Sequence, residues 1–351
     1  MTQDGTIPVR AGEAIDHQAL QAWLGQNAPQ MGNIQGIVQF PGGFSNLTYC
    51  LQTDRKDYVL RRPPIGANIQ SAHDMGREYR VLSLLQPHYD RIPTPIVYCD
   101  DPAVIGGPFY IMERIKGLIL RPGNAPGMNF SLEQWRSLSE ALTDNLVTLH
   151  SLDIEKTGLR QLGKPEGYVQ RQVEGWVKRY GAAETEIIES MNRLTQWLER
   201  NIPVSGPAAF LHNDYKFDNV LFNSGYLPQV CGVLDWEMST VGDPLMDLGA
   251  ALAWWMEAGD GAAMQYYNVT WLPGNLTRRE VAERYAEKSG RNLKHIVFYY
   301  VFGMFKNAVI GQQIYARWKK GLTSDARFGQ LIHMIKGLAI KAEKTLEQGK
   351  L

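Results

Sequence analysis

Three features are scarce in this 351-residue sequence, and each scarcity excludes a class of protein. Cysteine occurs only three times, which argues against a disulfide framework and favours a reducing compartment, so we expect a cytoplasmic protein. No apolar run is long enough for a membrane span, and the first ten residues lack the apolar core of a signal peptide, so no membrane partner is expected. Net charge is also absent, because 36 basic residues balance 36 acidic ones; nucleic acid is therefore not an expected partner.

The pattern of glycines and apolar residues changes along the chain. Short β-prone runs and turn glycines dominate the first third, whereas the last third shows mainly helical periodicity. We therefore predict an α+β protein with an N-terminal lobe over residues 1–115 and a C-terminal, largely helical lobe over residues 116–351. The elements expected in the first lobe are strands near 36–40, 48–52, 58–61 and 109–112 and a helix over 75–86.

The second part of the chain carries clear helix signals. Ser131 followed by Gln134 forms a capping box, which predicts a helix that ends near His150. Two further helices are expected near 167–180 and 183–200, before a proline-containing break at 203–207.

The polar segment after this break is the candidate site. His212, Asp214 and Asn219 lie between apolar flanks, and Asp235 follows the apolar run 230–234. A hairpin would return Asp235 beside Asn219, giving two oxygen ligands of the kind that Mg²⁺ prefers. Asp214 would then lie nearby and could act as a general base.

The motif His212-x-Asp214-x4-Asn219 followed by Asp235 resembles the signature of aminoglycoside phosphotransferase-like kinases, which are relatives of protein kinases. A glycine hairpin, a cationic third strand, a helix glutamate and a linker precede it in kinase order. The run 235–248 also resembles the phosphotransferase domain that is fused to some acyl-CoA dehydrogenases. The resemblance implies a protein-kinase-like bilobal fold, with a small β-rich N-lobe and a larger helical C-lobe. It also implies ATP- and Mg²⁺-dependent transfer of the γ-phosphate to a hydroxyl of a small molecule.

The resemblance further implies a role for each matched residue. Asp214 would accept the proton of the acceptor hydroxyl, and Asn219 and Asp235 would bind the Mg²⁺ that bridges the ATP phosphates. The residues expected to bind the nucleotide are Gly42, Gly43, Ser45 and Asn46 over the phosphates, Arg61 on the α- and β-phosphates with Glu78 orienting it, and the backbone of Glu113 and Ile115 at the adenine edge.

One position departs from the kinase pattern, which has lysine on the third strand where this chain has Arg61. Arginine can still pair with phosphate and carboxylate, although its planar fork differs from the point charge of lysine. Because side chains alternate along a strand, Arg61 and Arg62 should leave opposite faces, and we assign Arg61 to the inward face.

Several alternatives remain beside these assignments. A nucleotide-binding pseudokinase without turnover is favoured only by Arg61, and a metal-dependent hydrolase built on His212 would lack further clustered histidines. A true aminoglycoside phosphotransferase is the third alternative. His212 is expected to brace the loop, and Asp243 and Asp247 to support the catalytic segment, without touching substrate.

The charge distribution bears on the acceptor. Residues 251–351 hold 15 lysines and arginines against 8 aspartates and glutamates, so a neutral chain has a basic end. If this end completes the acceptor pocket, it favours an anionic acceptor, and a hydroxyacyl-CoA is the leading hypothesis; alternatively these residues lie on a solvated face. The basic residues in question include Arg278, Arg279, Lys306, Arg317, Lys319 and Lys320.

Overall fold

The computed structural model of the chain describes residues 5–41, 46–64, 74–265, 268–323 and 325–351. The strands in these ranges are β1 (Ile34–Gln39), β2 (Leu47–Thr53), β3 (Asp57–Arg62), β4 (Pro95–Cys99), β5 (Phe109–Glu113), β6 (Leu118–Ile119), β7 (Ala209–Leu211), β8 (Val220–Phe222), β9 (Val230–Val233) and β10 (Thr240–Gly242). The helices are α1 (His17–Asn27), α2 (Met75–Leu85), α3 (Pro102–Ile105), α4 (Leu132–His150), α5 (Tyr168–Ala183), α6 (Glu189–Arg200), α7 (Pro244–Trp254), α8 (Ala262–Gln265), α9 (Arg278–Ser289), α10 (Ile296–Lys319) and α11 (Leu331–Gln348).

The chain divides into two units. The first comprises Met1–Ile119, Thr157–Leu159 and Asn219–Ser239, and the second comprises Leu120–Lys156, Arg160–Asp218 and Thr240–Leu351. The first is rich in antiparallel sheet and the second is mainly helical, which confirms the predicted α+β class. The lobe boundary between residues 115 and 116 stays a prediction, because compactness alone does not show what folds independently.

A five-stranded antiparallel sheet forms the centre of the first unit, in the order β1-β2-β3-β5-β4. Its inner face buries Tyr49, Leu51 and Leu60 completely, and α1 packs on the same core through Leu20 and Leu24. The predicted strands are confirmed, with ends that differ by one or two residues. Strand β4 was not predicted, because it begins at a proline and lies at the sheet edge, where the strand signal is weakest.

A second sheet of the first unit holds the segment that follows Asn219. Strands β6, β8 and β9 form it in that order, and Val220 pairs with Val233. The backbone N–H of Val233 also donates to the carbonyl of Arg91 at 2.8 Å. Strands β8 and β9 are therefore the hairpin that the sequence predicts.

Helix α4 of the second unit begins as predicted. Ser131 accepts from the N–H of Gln134, and the Gln134 side chain accepts from the N–H of Ser131, which completes the capping box. The helix predicted at 183–200 starts later, at Glu189. Thr185, Ile187 and Ile188 precede that start, and β-branched residues of this kind disfavour a helix.

Helices α7 and α10 cross closely within the second unit. A Cβ added to Gly303 would overlap the carbonyl oxygen of Gly249, and one added to Gly249 would overlap backbone atoms of Tyr299. The glycines therefore set the distance between the two helix backbones. No helix in the described ranges has both the length and the apolar character needed to cross a bilayer.

Gly303→Ala should destabilise the protein, because the new methyl group meets backbone that cannot rotate away. Overpacking of this kind costs about 1–3 kcal/mol, which urea unfolding can measure. Gly25→Ala is the matched control, since it adds the same methyl group to helix α1 where no atom lies within 4 Å. The control should be neutral or stabilising, because alanine favours a helix by about 1 kcal/mol over glycine. Equal stability of the two variants would contradict the close helix crossing.

Candidate functional site

The β8–β9 hairpin brings the two predicted metal ligands to the same end of a sheet. The N–H of Leu234 donates to the carbonyl of Asn219 at 2.8 Å, so Asp235 follows immediately after a residue paired with Asn219. Asp235 has a φ of 67°, in the left-handed region that a non-glycine residue seldom adopts. The turn thus takes the Asp235 side chain off the strand path, with about a third of its surface exposed.

Arg61 links three carboxylates in the first unit. Its Nη1 donates to Oε1 of Glu78 at 2.6 Å, and its Nη2 lies 3.3 Å from Oδ1 of Asp235. The same nitrogen is 3.8 Å from Oε2 of Glu237. Burial alone would lower the pKa of Arg61, but these neighbours raise it well above the ordinary value, so the guanidinium stays charged.

Arg62 leaves strand β3 on the other face. Its Nη1 donates to the carbonyl of Ile105 at 2.7 Å, and the residue is almost completely buried. The alternation of the two arginines is therefore as predicted, with Arg61 facing Glu78 and Asp235.

Glu237 was not assigned a role from the sequence, although it lies two residues after Asp235. Its Oε2 accepts from Nδ2 of Asn46 at 2.8 Å, and its carbonyl accepts from Nη1 of Arg77 at 2.9 Å. Arg77 also donates to the carbonyl of Ser239, so one guanidinium binds the carbonyls of both Glu237 and Ser239. The sequence Asp-Trp-Glu could have indicated a role for Glu237, since this second acid follows Asp235 at the same turn.

Trp236 anchors this turn between the two acids. The residue is buried, its ring N–H donates to the carbonyl of Val233 at 2.9 Å, and its backbone N–H donates to Oε1 of Glu78 at 3.3 Å. Glu78 therefore receives donors from strand β3 and from the turn. It is a buried partner, and not a solvated helix charge.

The structure describes only some of the other residues that are predicted to bind the nucleotide. The backbone N–H of Glu113 donates to the carbonyl of Thr94 at 2.9 Å, and its side chain pairs with Lys56. Ile115 packs so closely on Gly232 that a Cβ there would lie 2.8 Å from Cδ1 of Ile115. The remaining predicted positions, Gly42, Gly43 and Ser45, lie outside the described residues.

The predicted base lies in the second unit, directly after strand β7. Asn213 has a φ of 66°, and the N–H of Asp214 donates to Nδ1 of His212 at 3.2 Å. His212 is fully buried and braces the loop as expected. The carboxylate of Asp214 accepts from Nζ of Lys216 at 3.0 and 2.9 Å, and that ammonium also lies 4.6 Å from the ring centre of Trp254. Lys216 was not predicted, although it belongs to the same polar run.

Asp247 supports this loop from helix α7. Its Oδ2 accepts from the N–H of His212 at 2.6 Å, and its Oδ1 accepts from the N–H of Asn213 at 2.8 Å. Nε2 of His150 lies 3.1 Å from the same carboxylate. Burial would raise the pKa of Asp247, but the hydrogen bonds and charges of the two histidines hold it below the ordinary value. The supporting role predicted for Asp247 is therefore confirmed.

The donor set fits a magnesium ion that also binds nucleotide. Among the described residues, no three His, Cys, Asp or Glu side chains form a group that could hold a metal. Mg²⁺ commonly takes one or two protein oxygens and completes its shell with water and phosphate, so Asn219 and Asp235 would suffice. Oxygen atoms of three carboxylates also lie 3.8 Å or less from the Arg61 guanidinium, so the ligand type that a divalent cation prefers is grouped there. The hydrolase alternative gains no histidine cluster from the same described residues.

Comparison with known proteins assigns the chain to a family. The family described as the phosphotransferase enzyme family matches residues 36–287, which is most of the chain. Acyl-CoA dehydrogenase family member 11 of Rattus norvegicus is 34% identical over 340 residues, an alignment that covers 92% of this chain and 42% of the rat protein. The chain thus spans less than half the length of this curated relative.

Solved structures agree with this assignment. A Ralstonia eutropha protein provisionally described as an aminoglycoside phosphotransferase is 31% identical, with a TM-score of 0.79 and coverage of 94% of this chain and 99% of that one. A spectinomycin phosphotransferase bound to ADP and spectinomycin, at 15% identity and a TM-score of 0.59, shares the fold over 94% of this chain and 99% of its own. The chain therefore belongs to the phosphotransferase enzyme family and has its kinase-like fold.

Proposed function

We propose that the protein transfers the γ-phosphate of Mg-ATP to a hydroxyl group of a small molecule. The observation that carries this proposal is the position of Arg61, whose guanidinium contacts both Glu78 and Asp235. Phosphoryl transfer depends on positioning and charge neutralisation more than on covalent chemistry. A fixed cation beside a metal-binding carboxylate is suited to the phosphates of a nucleotide.

Each predicted residue takes one part in the proposed reaction. Mg²⁺, when bound, would neutralise phosphate charge, and Asn219 and Asp235 would hold it. Arg61 would contact the phosphates while Glu78 keeps it oriented. Asp214 would accept the proton of the acceptor hydroxyl, since its carboxylate is partly exposed and the backbone N–H groups of Asn213 and Asp214 are both hydrogen-bonded.

The proposed acceptor is a hydroxyacyl thioester of coenzyme A. The curated relative is named as an acyl-CoA dehydrogenase, which makes an acyl-CoA bearing a hydroxyl the first acceptor to test. Lys216 and Trp254 lie beside Asp214, but the Lys216 ammonium already pairs with the Asp214 carboxylate and lies over the Trp254 ring, so the choice rests on the relative alone. An aminoglycoside is a polycation and would favour a group of carboxylates instead.

The basic character of residues 251–351 adds no support to an anionic acceptor. Arg278 is buried and paired with Glu257 at 2.7 Å and Asp260 at 2.5 Å. Arg279 is largely exposed and lies 3.7 Å from Glu283 on the same helix. These acids are already included in the count, but Arg284 pairs with Asp144 at 2.7 Å and Lys336 pairs with Glu186 at 2.6 Å, and these two acids lie outside residues 251–351 and so reduce the excess.

Asp214→Asn should abolish transfer and leave Mg-ATP binding nearly unchanged, because the base acts on the acceptor and not on the nucleotide. General-base catalysis contributes about 10²–10⁴-fold, so turnover should fall by at least that order. Asp235→Asn should weaken Mg-ATP binding as well, which calorimetry can measure. A loss below tenfold in the first variant, or unchanged nucleotide affinity in the second, would contradict the assignment concerned.

Arg61→Ala should raise the KM for ATP and lower kcat. A hydrogen bond to a charged group contributes about 1.5–3 kcal/mol, which corresponds to about 10- to 100-fold. Arg62→Ala is the matched control, since Arg62 is equally buried and bonds only a backbone carbonyl in the contacts described. Both variants should lose stability, so unfolding is measured beside activity. Sensitivity of ATP affinity to Arg62 and not to Arg61 would overturn the orientation of strand β3.

Release of ADP should be stimulated by hydroxyacyl-CoA compounds and not by kanamycin-type aminoglycosides. The panel should include acyl-CoA compounds without a hydroxyl, which bind the same features and offer no acceptor. Phosphorylation of an aminoglycoside alone would refute the acyl-CoA acceptor and retain the kinase activity. The pseudokinase alternative would be favoured if the protein binds nucleotide, releases no ADP with any acceptor, and shows the same binding and the same lack of ADP release after Asp214→Asn.

A further inference from the structure

Lys306 is a buried ammonium in the interior of the second unit. It lies on helix α10, only 6% of its surface is exposed, and its Nζ donates to the carbonyl of Asn213 at 2.8 Å. The same atom lies 5.8 Å from the ring centre of Trp176 on helix α5. A buried charge is costly unless it gains partners, so these contacts must compensate for lost hydration.

The carbonyl that accepts from Lys306 belongs to the peptide group just before Asp214. The N–H of that same peptide group donates to Nδ1 of His212, so both of its ends are engaged. The preceding peptide N–H, that of Asn213, donates to Asp247. These contacts hold Asn213 in the left-handed conformation, which costs a non-glycine residue about 1–2 kcal/mol.

Electrostatics tie the ammonium to the same loop. Burial lowers the pKa of Lys306, whereas the carboxylates of Asp214 and Asp247 oppose that change and Lys216 adds to it. Burial and the two carboxylates therefore act on the pKa of this amine in opposite directions. The contact that the geometry shows is the hydrogen bond to the Asn213 carbonyl.

We propose that Lys306 is a positioning residue, whose ammonium fixes the Asn213–Asp214 peptide group and thereby aims the Asp214 carboxylate at the acceptor hydroxyl. The inference rests on the proposed function, because Asp214 is the base there. It differs from the anion-binding role that the charge count suggested for this lysine. The contact of Lys306 is with the protein backbone, and its action on substrate is through Asp214.

Lys306→Met tests the proposal, because methionine keeps the length of the side chain and removes its charge. We expect kcat to fall by about 10- to 100-fold, the equivalent of a charged hydrogen bond, with the KM for Mg-ATP nearly unchanged. Lys319→Met is the matched control on the same helix. Lys319 also donates to a backbone carbonyl, that of Thr185 at 3.4 Å, but it is exposed. Unfolding of each variant is measured, and activity is assayed below the transition.

The split between kcat and KM separates positioning from a general loss of structure. Lys306→Met should lower kcat with little change in the KM for Mg-ATP, whereas Lys319→Met should change neither. Lys306→Arg keeps a charged donor at the same position and should restore much of the lost kcat.

Wild-type turnover in Lys306→Met, or a fall in kcat that Lys306→Arg does not relieve, would overturn the proposal. If Lys306→Met fails to fold, Lys306→Arg keeps the charged donor and should keep turnover within about tenfold of wild type, because the hydrogen bond to the carbonyl is retained; a larger loss would count against the proposal. Asp214→Asn distinguishes the hypothesis that Asp214 is the base from the hypothesis that Lys306 positions it. Full activity of Asp214→Asn overturns the base assignment itself, whereas normal turnover of Lys306→Met beside an inactive Asp214→Asn overturns only this inference.

Discussion

The structure depends on two non-glycine residues that adopt the left-handed conformation, Asn213 and Asp235. Such a residue costs about 1–3 kcal/mol and persists only where its surroundings determine it. Asp235 is held from both sides, by the bond between Leu234 and Asn219 before it and by the bond from Trp236 to Glu78 after it. Each turn brings a carboxylate off the end of a strand, where it can meet a ligand. The cost of the two turns is thus offset by contacts far away in the sequence.

Backbone N–H groups that donate to a buried carboxylate hold the turns in both units, but the other partners of those carboxylates differ. Around Arg61 the contacts are mostly between side chains, with carboxylates in excess of the cation. Around Asp247 the contacts are between a side chain and backbone N–H groups, with His150 as the charged or polar partner. A buried carboxylate is strongly unfavourable when a partner is removed, so both sets are sensitive to substitution. The first set also lies beside the β8–β9 hairpin, where Asn219 and Asp235 supply oxygen atoms of the kind that Mg²⁺ prefers.

Local patterns were enough to predict the strands, the capping box of α4 and the hairpin that joins Asn219 to Asp235. These features depend on neighbours in sequence, where alternation, proline and capping residues act directly. The contacts of Arg77 and Lys306 could not be predicted, because each donates to a backbone carbonyl more than 90 residues away. A carbonyl is present in every residue and leaves no sequence signal. The late start of α6 was not predicted for another reason. A helical pattern of apolar residues begins before Glu189, but the β-branched residues in that stretch disfavour a helix.

The arginine at position 61 changes the kind of link that strand β3 makes to its neighbours. The ammonium of lysine is a compact point charge, whereas the guanidinium has two terminal nitrogens in a fixed plane. Here one nitrogen bonds Glu78 on helix α2 and the other faces Asp235 after strand β9. The side chain thereby joins two elements that lie 17 and 174 residues further along the chain. The departure from lysine keeps the charge and adds a second contact, so it gives no reason to infer a loss of turnover.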